Sequence, residues 1–225
     1  MSGFLKSSIG KKVAMSLSAF LLMSFLILHF SINFLSVFSE DIFNSASHFM
    51  GTNWVIQFLM QPILIFGVVF HFVMGFVLEF QNRSARKISY VNSNPGGNST
   101  WMSRNMLLSG AVILAFLVLH FIDFWIPEMN TKYIQGDMSG LLDGGESLRY
   151  YTETVHKFES PWRVGVYVLA FVLLSLHLLH GFNSAFQSLG ANNKYVKGLK
   201  GFSRVYAIGI PLGFIFIALF HHFSH

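Results

Sequence analysis

The chain has 225 residues, 53% of them hydrophobic and 11% charged, with 26 Phe and a formal net charge of +5. A soluble domain is about 25% charged, so this composition excludes an ordinary soluble enzyme and points to an all-α integral membrane protein. Cysteine is absent, which excludes disulfides, iron–sulfur ligation by this chain and covalent attachment of c-type haem.

Runs of about 20 mostly apolar residues read as membrane-crossing helices. Five follow one another, in a single transmembrane domain over 1–225. The first, about 13–36, begins after Lys11 and Lys12, reads as an uncleaved signal anchor and carries His29. A connection with Asn44 and His48 leads to the second, about 55–79, which carries His71 and, one turn later, Gly75. The third, about 104–126, carries His120. The longest connection runs from Pro127 to Pro161, holds Glu128, Asp137, Asp143, Glu146, Glu153 and Glu159, and is expected to be a lid or a spacer. The fourth span, about 162–187, carries His177, His180 and Gly181. The fifth, about 202–223, ends in His221, His222 and His225, expected to form a frayed tail.

Lys and Arg segregate between the connections. Lys6, Lys11, Lys12, Arg83, Arg86, Lys87, Arg104, Lys194, Lys197, Lys200 and Arg204 fall on one side, against Lys132, Arg149, Lys157 and Arg163 on the other. The positive-inside rule places the N-terminus in the cytoplasm and the C-terminus outside. Because these residues form no continuous patch, topology accounts for the basic charge and no nucleic-acid partner is expected.

Direction gives each histidine a depth at about 1.5 Å per residue. His29 lies 17 residues beyond Lys12 and His120 lies 16 beyond Arg104, both in the outer half. His71 lies 12 residues before Arg83 and His177 lies 17 before Lys194, both in the inner half. Two pairs at two depths are therefore predicted, His29 with His120 and His71 with His177, about 8 residues or ~12 Å apart. Ionisable residues inside a membrane are rare and mark a pathway or a cofactor. Two neutral imidazoles suit the axial faces of haem iron, and without Cys the group would be b-type. The fold expected is five transmembrane helices, the first four forming a bundle around two b haems.

Taken singly, each histidine reads more simply as a hydrogen-bonded core residue, and the Phe abundance as lipid-facing and core packing. Four histidines at paired depths reverse that preference. His180 follows His177 by three residues and faces nearly the same way; the shared spacing of His71 to Gly75 and His177 to Gly181 favours His177. His48 and His156 lie in outer connections, where solvation is the default. A haem-free proton or metal-ion transporter is an alternative, but relays use intramembrane carboxylates, and Glu79 and Asp123 lie at span ends. It also predicts an inverted repeat that is not visible.

The chain resembles the five-helix, two-haem cytochrome b membrane anchor of succinate dehydrogenases and fumarate reductases that use quinone. The resemblance covers nearly the whole chain: helix count, N-in topology, one histidine on each of the first four helices, and the segment Phe43-Asn44-Ser45-Ala46-Ser47-His48-Phe49-Met50. It implies a distal haem on His29 and His120, a proximal haem on His71 and His177, and a flavoprotein (FAD) subunit and an iron–sulfur subunit on the cytoplasmic face. The chain itself would do no dicarboxylate chemistry. It would carry electrons to or from quinone, menaquinone by preference, in a bacterial cytoplasmic membrane. Arg104, Lys194, Arg163 and Ser16 are candidate propionate partners, and Asn44 and His48, from their location, candidate quinone residues. Some family members carry a glutamate near the helix-four ligand; here Ser175 precedes His177 by two residues, which puts that proton route in doubt. The cytochrome b subunit of a hydrogenase or formate dehydrogenase is a further alternative, less compatible with a fifth span and one histidine per helix.

Overall fold

The structure is a computed structural model that describes residues 3, 7–84, 105–142, 145–190 and 196–224. Seven helices carry the fold among these residues: α1 Ser8–Leu35, α2 Glu40–Thr52, α3 Ile56–Ser84, α4 Met106–Ile134, α5 Tyr150–Phe158, α6 Pro161–Ser188 and α7 Val196–Ser224. Five of them, α1, α3, α4, α6 and α7, are long and apolar enough to cross a membrane, and the chain is a multi-pass helical membrane protein.

Local chemistry sets the helix limits. Ser7 caps α1 by accepting from the Gly10 N–H at 2.9 Å, which satisfies an orphan donor of the first turn. The helix therefore starts about a turn before the predicted 13 and takes Lys11 and Lys12 inside. Ser39 caps α2, with Glu40 and Asp41 in its first turn, where acidic charge complements the helix dipole. The third span is also longer than predicted: α4 passes through Pro127 to Ile134. Proline lacks the N–H for a regular turn, and two wider i→i+5 turns, Phe121–Trp125 and Asn130–Ile134, bracket this one. Beyond the proline, Lys132 pairs with Glu128 one turn earlier and donates to the Gly51 carbonyl. That pairing lets charged residues stay in a buried turn.

The first four spanning helices form a ring. α1 packs on α3 and α6, α4 packs on α6, and α3 meets α4 over only a short stretch; α7 lies outside against α6 and α1. Two apolar clusters hold the α6–α7 side, one around Tyr167, Phe171, Phe214 and Ala218, the other around Leu178, Phe182, Tyr206 and Ala207. Ser203, Ala207 and Ala218 on α7 are fully buried, the small-residue contact that lets membrane helices approach closely. Tyr206 donates to the Met23 carbonyl of α1 at 2.7 Å.

The connections 36–55 and 135–160 close one end of the ring, here the lid end. Asn44 joins them: its amide donates to the Leu148 carbonyl at 3.1 Å and its carbonyl accepts from the Tyr151 N–H at 2.8 Å. Arg149 binds Glu128 and Glu153 and lies over the Tyr150 ring. The segment expected to be a lid or spacer is thus fastened to α2 and α4. The expected frayed tail is ordered helix instead. His221 is fully buried among the rings of Tyr151, Phe158 and Phe220, with its Nε2 2.8 Å from the Ser36 hydroxyl, and His222 Nδ1 lies 2.8 Å from the Phe158 carbonyl. Imidazoles with polar partners are no obstacle to a buried helix end, which is why terminal position alone misled.

Candidate functional site

Each ring helix brings one histidine to the centre. α1 carries His29, α3 His71, α4 His120 and α6 His177, and all four are half-buried. The His29 and His120 ring centres are 5.6 Å apart and the rings are nearly perpendicular, at 82°. His71 and His177 stand 6.5 Å apart at 64°. These contacts join the same residues that depth counting pairs.

The pairs differ in surroundings. At the level nearer the amino-terminal end, His71 Nδ1 lies 3.0 Å from the Ser18 hydroxyl of α1, and His177 Nδ1 lies 3.2 Å from the Ser109 hydroxyl of α4. At the lid-end level no hydroxyl plays this part. His29 Nδ1 is 3.4 Å from the Asn33 amide, and His120 Nδ1 is buried without a hydrogen-bond partner among the described residues. Aromatic rings flank this level instead: Phe25 stacks on His29, Phe116 stacks on His120, and Phe214 of α7 reaches His29.

Eleven residues separate Ser18 from His29 on α1 and, equally, Ser109 from His120 on α4. At 1.5 Å per residue the two levels are ~16 Å apart, wider than the ~12 Å that charge positions indicated. Side-chain contact locates the inner level better than distance from a flanking lysine, because helix ends extend past the membrane core by variable amounts.

These serines were missed in sequence, although a signal for them exists. Met15, Ser18, Phe25 and His29 recur with identical spacing as Met106, Ser109, Phe116 and His120. Together with His71 and Gly75 against His177 and Gly181, this makes α1–α3 and α4–α6 a parallel repeat rather than the inverted one looked for. A Cβ on Gly75 would sit 3.7 Å from the Met15 methyl, and one on Gly181 would sit 3.2 Å from the Met106 methyl. At Gly181 the glycine therefore admits a methionine from the adjacent helix. His180, the weighed alternative to His177, has no ring contact with His71; that contact belongs to His177.

Near the lid end, α4 and α6 share a second polar group. Asp123 is buried, accepts from the Tyr167 hydroxyl at 2.9 Å and pairs with Arg163 Nε at 3.1 Å. Asp123 is thus inside α4, three residues past His120, and not at a span end as expected. Arg163, a candidate propionate partner, already has an anionic partner within the chain. Ser16 is buried and donates to the Lys12 carbonyl at 2.9 Å, while Arg104 and Lys194 lie outside the described residues. Of the candidate quinone residues, Asn44 has both ends of its carboxamide engaged by lid backbone, and His48 Nδ1 lies 3.2 Å from the Tyr150 hydroxyl. Among the described residues no three His, Asp or Glu side chains gather as a metal cluster, so the histidines associate strictly in twos.

No protein-family model, curated protein or solved structure matches this chain.

Proposed function

We propose that this chain is the dihaem cytochrome b subunit that anchors a succinate:quinone oxidoreductase in a bacterial cytoplasmic membrane. The observation carrying this reading is the geometry of the two imidazole pairs, with ring centres 5.6 Å and 6.5 Å apart. Two imidazoles on opposite faces of one metal, each bonded at about 2 Å with the ring centre a further ~1.2 Å back, have centres about 6 Å apart. The residues present therefore fit two b haems, one held by His29 and His120 and the other by His71 and His177, without covalent attachment. Haem bound at each level supplies one-electron storage.

The chain's own part is to hold and insulate. Four imidazoles from four helices fix two levels ~16 Å apart along the bundle. Phe25, Phe116 and Phe214 surround the lid-end pair with apolar surface, which lowers the local dielectric and excludes water. The basic connections assign the amino-terminal end to the cytoplasm, where an iron–sulfur subunit and its flavoprotein (FAD) partner would dock. Quinone, menaquinone by preference, would exchange electrons at the lid end.

A reduced-minus-oxidised visible spectrum with a pyridine haemochrome assay of the purified chain tests the cofactor, with two b haems per chain expected. A count of zero ends the reading, and a count of one breaks the pairing. Co-purification followed by a succinate-to-quinone assay tests the complex; an isolated dihaem chain that never yields a succinate-active assembly would redirect the reading to another quinone-linked complex.

A further inference from the structure

We infer that Ser18 and Ser109 are positioning residues that set the tautomer and electron donation of His71 and His177, leaving this chain with one hydroxyl-tuned level and one untuned level. The inference rests on the reading of His71 and His177 as axial ligands. A serine hydroxyl has one proton to donate and two lone pairs. Ser18 Oγ donates that proton to the Met15 carbonyl at 2.8 Å, and Ser109 Oγ donates to the Met106 carbonyl at 2.9 Å. Each oxygen is then left only as an acceptor toward the imidazole beside it, at 3.0 Å from His71 Nδ1 and 3.2 Å from His177 Nδ1.

The proton of each neutral ring is thereby drawn to Nδ1, and the Nε2 lone pair is left for a metal. A hydrogen bond accepted from the second ring nitrogen also raises the basicity of the ligating one. Both serines are anchored from the helix preceding the histidine's own, so the same device occurs twice, once in each half of the parallel repeat. The lid-end level lacks it: His120 Nδ1 has no hydrogen-bond partner among the described residues, and the nearest polar group to His29 Nδ1 is an amide nitrogen 3.4 Å away. A more basic ligand stabilises ferric over ferrous iron. Removing either hydroxyl should therefore raise the midpoint potential of the haem at the Ser18–Ser109 level and leave the other unchanged.

The test is a potentiometric titration of the purified chain, followed by visible spectra, on the parent, Ser18→Ala, Ser109→Ala and the corresponding Thr variants. The affected haem is identified as the one that His71→Ala removes. Both Ala variants should keep two haems, with that haem about threefold easier to reduce, roughly 30 mV for a one-electron couple. Thr should restore most of the shift. Unmoved potentials, a shift confined to the other haem, or Thr behaving like Ala would overturn the inference. If an Ala variant loses the haem, the Thr variant must retain it; loss in both would reduce the serines to packing and also overturn the inference. A parent chain without haem refutes the ligand reading itself and is distinguished at the first measurement.

Discussion

Asp123 is a carboxylate buried in an apolar bundle, and it is tolerated because the Tyr167 hydroxyl donates to it and the Arg163 guanidinium lies beside it; a buried charge without such partners costs several kcal/mol. Counting along the sequence put Asp123 at a span end, where solvation would serve the same purpose. The difference arises from α4 continuing past Pro127, which no local propensity announces. Asn44 is the converse case. Its location beside the lid suggested a ligand role, whereas its carboxamide bridges two backbone groups more than a hundred residues further on. Tyr150 carries a pH prediction. Burial, reinforced by the Glu128 charge, pushes its phenol up to about 12 from 10.0. The folded lid holds that proton more tightly than the unfolded chain, so the contribution is complete below pH 10 and is lost as pH rises through about 12. Titration of tyrosinate absorbance should show a transition near pH 12 that Tyr150→Phe removes; a parent transition at the ordinary phenol value would contradict it.

Helix contacts account for the next scale. Gly213 on α7 is required by a close approach, since a Cβ there would overlap the Phe30 ring of α1 at 2.3 Å. Gly213→Ala should destabilise the protein by about 1–3 kcal/mol, the usual cost of overpacking, and Phe30→Leu should recover part of it in thermal unfolding in detergent. If the single change is neutral, α1 and α7 are not packed as described. The lid rests on Glu128, which binds both Lys132 and Arg149. Burial works against the Arg149 charge, but the bonds to Glu153 and Glu128 outweigh it and raise its pKa. Glu128→Ala leaves the fully buried Lys132 ammonium without its carboxylate, at a cost of about 3 kcal/mol. Limited proteolysis should then cleave the lid between Gln135 and Arg149 faster than in the parent; equal rates would show that the pair does not fasten it.

At the scale of the whole molecule, the four histidine variants should behave as two pairs. His29→Ala and His120→Ala should each remove the lid-end haem, His71→Ala and His177→Ala the other, and His180→Ala neither; mixed losses read from haem counts and spectra would break the pairing. Much of this arrangement was legible in the chain alone. Five apolar runs, the segregation of basic residues and a count of residues from each charge suffice to pair the histidines, because hydrocarbon thickness and helical rise are constants that turn sequence distance into depth. Composition likewise determined the class of protein, since a chain this apolar must face lipid. Tertiary structure alone decided which hydroxyls meet which imidazoles, how far apart the two levels stand, that Asp123 is buried and Asn44 committed, and that the last helix ends in a buried histidine. Those outcomes depend on helix rotation and crossing, which residues distant in sequence set by packing together, and no single helix carries that information within itself.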